Sequence, residues 1–234
     1  MTKARDTANL TGSGVGLSLL DIDAGTDIGA ALVDADLMIV DDGAGGTNRK
    51  ATMSRLATYM GTKIGGGMEF LASSGAISNA ASVSFTQFDS SKYDSYLFKC
   101  YYVTPATDDV DLKAHVSSDG GSSYDTTNGN YHMNGSYDDT GFNFNLNYNA
   151  GSDTNESGVS GSLELFGPHL TTYTTAHVLS LVHTPTAGAV EPGNVGSNRA
   201  QMHLSAADVD AIQFKFSSGN IESGEITMFG IVNS

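Results

Sequence analysis

From Phe142 to Tyr148 the chain reads FNFNLNY, with Phe142, Phe144, Leu146 and Tyr148 at every second position and Asn143, Asn145 and Asn147 between them. Successive side chains of an extended strand leave opposite faces, so this alternation specifies a strand with one apolar face and one amide-covered face. The same period runs through Ser82–Thr86, Tyr96–Val103, Val110–Val116, Ser162–Phe166, His177–His183, Gln201–Leu204, Ala211–Phe216 and Glu225–Val232. Turn-forming clusters separate the runs: SSDGGSS from Ser117, DTTNGN from Asp125, YDDTG from Tyr137 and TPTAGAVEPGN from Thr184. With 28 Gly and only 16% charged residues, the chain has the composition of short strands joined by many turns. These features predict a mainly β protein whose residues 68–234 form an antiparallel jelly-roll-like β-sandwich. No repeat of solenoid or propeller length is present.

The front of the chain is patterned differently. The first twenty residues are rich in Thr, Gly and Ser and read as an extended arm. Leu37–Val40 then reads as a strand, Asp41–Asn48 as a turn with three glycines, and Arg49–Ala51 as a return strand. Thr52 is placed to cap a short helix on which Met53, Leu56, Ala57 and Met60 share a face. Residues 1–64 are thus a strand-turn-helix module with its arm, and Gly65, Gly66 and Gly67 supply a hinge at 65–67. A unit spanning Ile22 to Ile64 is too small to bury much apolar surface alone, so it is expected to gain burial against copies of itself or an attachment platform. Leu37, Ile39, Met53, Leu56 and Met60 are the candidate apolar contacts of that interface. Arg49 and Lys50, the only adjacent basic pair in the chain, would orient it electrostatically.

Eleven Lys and Arg against 26 Asp and Glu give a formal net charge of −15, which repels a phosphate backbone, so nucleic acid is not an expected partner. The start MTKARDTANLTGSG lacks the apolar stretch of a signal peptide, and Asp34 and Asp36 interrupt the run from Gly29 to Val40; neither secretion nor membrane insertion is expected. Cys100 sits in an apolar run, where a thiol serves as a small buried hydrophobe.

Catalytic signatures are absent: there is no Gly-x-Ser-x-Gly elbow, no phosphate-binding Gly-x-x-x-x-Gly-Lys-Ser/Thr loop and no Cys-His pairing in a recognisable context. The expectation is a non-enzyme without metal or cofactor, although a glycosidase-type carboxylate pair is compatible with the many acidic residues. His177 and His183 share a strand face but lie roughly 20 Å apart at about 3.3 Å per residue, too far to bind one ion. His115, His132, His169 and His203 lack ligand spacing. The acidic stretches DIDAGTD from Asp21, TDDVD from Thr107 and YDDTG from Tyr137 lack EF-hand spacing and read as solvated turns. The remaining candidate is SSYDTTNGNYHMNGSYDD, Ser122–Asp139. There Tyr124, Tyr131, His132, Asn134 and Tyr137 offer flat apolar faces beside hydrogen-bonding groups, the chemistry that holds sugars. The competing reading is an ordinary hairpin whose tyrosines pack on its own sheet.

Two stretches carry a family resemblance. ADLMIVDDGAGGTNRKATMSRLATYM, through Asp36, Leu37, Ile39, Asp41, Asn48, Arg49, Lys50 and the helix from Thr52 to Met60, resembles a small module near the front of tail fibres and related virion proteins of tailed bacteriophages. FDSSKYDSYLFKCYYVTPATDDVDLKAHVSSDGGSSYDT and SGEITMFGI are similar to the paired and closing strands of the terminal β-sandwich in the same proteins. The resemblance implies a virion location, a homotrimer, attachment to other virion proteins through the front module, and an outward sandwich that contacts a host-surface glycan. A chain of 234 residues leaves no room for a long shaft, so a short tail fibre is the first expectation. A capsid decoration (cement) or head-spike protein is the alternative, and a glycan hydrolase the third.

Overall fold

The computed structural model describes residues 29–41, 48–63, 67–133, 136–144, 149–152, 158–182 and 197–232. Two compact units divide the chain, Met1–Lys63 and Ile64–Ser234. The expected N-terminal arm, the glycine turn at 42–47, the hinge residues Gly65 and Gly66, and the TPTAGAVEPGN turn lie outside the described residues.

In the first unit, β1 (Leu37–Asp41) pairs antiparallel with β2 (Asn48–Thr52), in a register that sets Leu37 against Thr52 and Ile39 against Lys50. Helix α1 (Met53–Lys63) follows at once. Its first amides are satisfied differently from expectation. Met53 N–H donates to the Asp36 carbonyl at 2.9 Å and Ser54 N–H to the Asp34 carbonyl at 3.3 Å, so the main chain before β1 supplies the cap. Thr52 instead shares a hydroxyl hydrogen bond of 2.8 Å with Ser54. None of residues 29–40 and 49–61 is buried: Leu37 is 59% exposed, Ile39 63% and Met60 44%.

The second unit is all strand among its described residues. A large sheet runs β3 (Met68–Ser73), β14 (Ile221–Ile231), β5 (Ser95–Pro105), β10 (Val159–Phe166), β11 (Thr174–Val182), β12 (Ser197–His203), β7 (Tyr131–Met133) and β8 (Ser136–Asp139). A smaller sheet runs β4 (Val83–Phe85), β13 (Ala211–Phe216), β6 (Leu112–Ser117) and β9 (Phe142–Asn143). Setting β7–β8 and β11–β12 aside leaves eight strands that pair first with last, second with seventh, third with sixth and fourth with fifth: β3·β14, β4·β13, β5·β10 and β6·β9. This is a long antiparallel hairpin rolled on itself, the jelly roll. The two extra hairpin segments extend the large sheet beyond β10.

Periodicity accounts for the strands that form. Along β11 the even positions Thr174, Ala176, Val178, Ser180 and Val182 are buried and the odd ones face outward. In β5, Tyr96, Phe98 and Cys100 point inward, then Tyr101 and Tyr102 are both exposed before Val103 turns in again. Tyr102 sits at φ 48°, and β5 shifts register there against both neighbours; this is a β-bulge that resets the inward phase. The core joins the two sheets through aromatic rings. Phe98 of β5 lies 5.7 Å from Phe85 and 5.4 Å from Phe214 of the small sheet, and Phe144 lies 6.1 Å from Phe214. Cys100 is buried among them, and burial pushes its thiol up to about 12.

Alternation in the FNFNLNY stretch holds only in part. Phe142 and Phe144 are fully buried, but Asn143 is buried too, and residues 145–148 lie outside the described residues. The Asn143 main chain is held by an amide from the opposite sheet: its N–H donates to Gln201 Oε1 at 2.9 Å, and Gln201 Nε2 donates to its carbonyl at 2.8 Å. Ser180 Oγ of β11 donates to the Phe144 carbonyl. Side chains of the large sheet thereby cover the edge strand of the small sheet. Asn143 Nδ2 also donates to Asp139 (3.1 Å), whose carboxylate accepts from Lys113 Nζ at 2.7 Å.

Candidate functional site

A cleft of about 370 Å³ opens where the β6–β7 loop meets the β12–β13 loop. Ser117, Ser123, Tyr124, Asp125 and Thr127 line one side and His203, Ser205, Ala207 and Val209 the other.

The first wall is the SSDGGSS turn, and its sequence explains its shape. Ser117 Oγ accepts from the Gly121 N–H at 2.9 Å and donates to Asp119 Oδ1 at 2.7 Å. Asp119 in turn accepts from Ser123 N–H at 2.9 Å and Ser123 Oγ at 2.6 Å. Those bonds, the Ser123 hydroxyl foremost, hold the Asp119 carboxyl down at about 2. Across the cleft, both Asp210 carboxylate oxygens accept the Gly120 N–H, at 2.9 and 3.0 Å, and tie the two loops together. Gly121 has φ +83°, and a Cβ there would lie 2.8 Å from the Tyr124 hydroxyl, so glycine is required beneath that ring.

The back of the cleft is a saturated carboxylate. Asp125 Oδ1 accepts from Thr127 N–H at 2.8 Å; Asp125 Oδ2 accepts from Asn130 Nδ2 at 2.7 Å and His203 Nε2 at 2.8 Å. Burial works to raise the pKa of this carboxyl, but the bonds from His203, Asn130 and Thr127 together outweigh it and hold the group well below the usual carboxylate range. His203 is buried, and its Nδ1 has no hydrogen-bond partner among the described residues. Its ring lies 4.8 Å from that of Tyr131, and the His115 ring lies 6.4 Å from Tyr131 on another side. Two histidines separated by much of the chain therefore converge on one tyrosine.

The residues singled out from the sequence fare differently. Tyr124 lines the cleft, half-buried. Tyr131 does not belong to any surface: it is fully buried, donates its hydroxyl to the Asp125 carbonyl at 2.9 Å and accepts from Val116 N–H at 3.0 Å. Its place on the inward side of β7 makes it a strut under the cleft, reaching β6 of the other sheet. His132 is half-buried on β7, next to Tyr131 and so on the opposite face of the strand. Asn134 lies outside the described residues; Tyr137 falls on β8, its side chain also outside them. In the first unit Arg49 and Lys50 are exposed, Met53 is half-buried and Leu56 is 36% exposed.

Asp125, His203 and Ser205 escaped sequence reasoning because 78 residues separate the hydrogen-bonded Asp125 and His203, and no local spacing links them. Among the described residues, no helix is long and apolar enough to cross a membrane. No family model, no curated protein and no solved structure matches the chain.

Proposed function

We propose that this chain is a structural protein of a tailed-phage virion: a short trimeric tail fibre whose first unit attaches and trimerises and whose jelly roll meets the host surface. The observation that carries the reading is the absence of any buried residue among residues 29–40 and 49–61 of the first unit, although it has regular strand and helix structure. A two-stranded hairpin and an eleven-residue helix do not hold their shape in water without an apolar partner. Leu37, Ile39, Val40, Tyr59 and Met60 offer that surface to other copies or to a platform. Support for the outward role comes from the jelly roll, rigidly cored and carrying a preformed cleft at the end of its loops.

Antibody labelling of intact particles tests the location, with label at the tail tip expected; label spread over the head would transfer the chain to the decoration class. Pre-mixing cells with purified protein tests the contact. Reduced adsorption of the particles is expected, and unchanged adsorption would contradict a receptor-binding role.

A further inference from the structure

The cleft between the β6–β7 and β12–β13 loops has the chemistry of a ligand site, and its lining restricts the ligand. Its volume, about 370 Å³, falls at the small end of the roughly 300–1,000 Å³ in which compact organic ligands are held. Among the described residues no Lys or Arg lines it, while Asp125 does and Asp119 and Asp210 bind its loops together. A phosphate, sulfate or carboxylate ligand would meet like charge with no Lys or Arg of the described lining to offset it. A wholly apolar ligand would strip water from Ser118, Ser123, Thr127 and Ser205 without replacing it. The hydroxyls of Ser118 and Ser205 and the acceptor oxygens of Ser123 and Thr127, set beside one half-buried aromatic ring, match a molecule with a ring of hydroxyls and an apolar C–H face.

Preorganisation points the same way. The Asp125 carboxylate is occupied by three donors and the Asp119 carboxylate by two groups of Ser123, so these acids are spent on holding the walls. Leu204 N–H bonds to the Asn130 carbonyl and Asp210 N–H to the Ser117 carbonyl, at 2.8 and 2.9 Å, which fixes the spacing of the two loops from below. A cleft already rigid binds without the cost of ordering its loops.

We propose that this cleft binds one uncharged pyranose unit, stacked on Tyr124 and hydrogen-bonded by the serine and threonine hydroxyls, with Ala207 and Val209 against its apolar edge. The inference rests on the reading that the jelly roll meets a host glycan, and it names both the subsite and the class of sugar. Tyr131 and His203 are positioning residues beneath it.

Saturation-transfer NMR on the full-length protein tests it, with methyl glycosides of glucose, galactose, mannose and N-acetylglucosamine as neutral probes and with sialic and glucuronic acid as charged ones, all at millimolar concentration. At least one neutral glycoside is expected to receive saturation, and neither acid. Tyr124→Ala should weaken that binding at least about tenfold, as loss of a stacking ring does. Ala207→Phe, which fills the cleft and leaves the loop hydrogen bonds alone, should abolish it with an unchanged melting temperature. Silence from every neutral glycoside, equal transfer to the acids, or binding retained in A207F would overturn the proposal. Comparing a free glycoside with a polysaccharide ending in the same sugar separates a free metabolite from a surface glycan. If the protein blocks particle adsorption and A207F blocks equally well, the cleft assignment fails and the receptor role stands. If neutral sugar binds the cleft and adsorption is untouched, the receptor role fails and the cleft assignment stands.

Discussion

His115 shows how much one buried ring can contribute. It sits on β6 opposite Gln213, 4% exposed. Burial first, then the charges of Lys215 and Lys113, depress its pKa to about 4, although Asp139 and Asp125 pull the other way. In the unfolded chain the same ring titrates near 6.5. Between those values the unfolded state takes up a proton that the folded state refuses, so stability falls as pH drops through that window, by about 2 kcal/mol at pH 5 relative to pH 7. Asp119 and Asp125 have depressed pKa values, so their contribution is present above the unfolded carboxyl value and is lost as pH falls from there toward their folded values. Urea titrations at pH 7, 6 and 5 should show the first loss, and His115→Phe should flatten it; an identical slope in the variant would mean that another group titrates. That these side chains share a neighbourhood could not be read from the sequence. His115, Asp125, Tyr131 and His203 meet only after β6 has been placed in the small sheet and β7 beside β12 in the large one, and each looks unremarkable within its own ten residues.

Strands whose burial follows strict alternation were legible. Ala211–Phe216 was bounded correctly from its pattern, and β5, β10, β11 and β14 were found with frayed ends. Three strands were not. Met68–Ser73 is exposed over its first half, follows three glycines and gains its place only by pairing with β14. β7 and β8 lie inside the tyrosine-rich stretch read as a ligand surface, where two short polar runs show too few alternations to register. The amide ladder of FNFNLNY was legible as residues but not as a seal between sheets. Gln201→Leu removes two buried hydrogen bonds to the Asn143 main chain, at roughly 1–3 kcal/mol for each. A fall in the urea midpoint with unchanged slope is the expected reading; an unaltered midpoint would show that the clamp contributes nothing. Gly161 is a second sensitive point. Between β5 and β11 there is no room for a side chain: a Cβ would come 2.1 Å from the Leu179 carbonyl oxygen and 2.8 Å from Ser180 Cα, both backbone atoms. Gly161→Ala must push these strands apart, and thermal melting should show a loss of about 2 kcal/mol or more.

Across the whole molecule, the fold class was legible because a jelly roll advertises itself as many short alternating strands, and strand order was not, because first-with-last pairing joins β3 to β14 across most of the unit. Apolar surface is distributed unequally between the two units. Ile64–Ser234 encloses a continuous aromatic core between its sheets. Met1–Lys63 encloses none among its described residues and leaves Leu37 and Ile39 bare on one hairpin face. A unit of that kind becomes rigid only in company. Light scattering on the full-length protein eluting from a size-exclusion column at micromolar concentration reads the consequence in one number. The native chain should elute as a particle of three 24.3 kDa subunits, and Leu37→Asp with Ile39→Asp should return it to one, with the jelly roll still folded by circular dichroism. A native protein that elutes at 24.3 kDa would contradict the assembly role of the first unit.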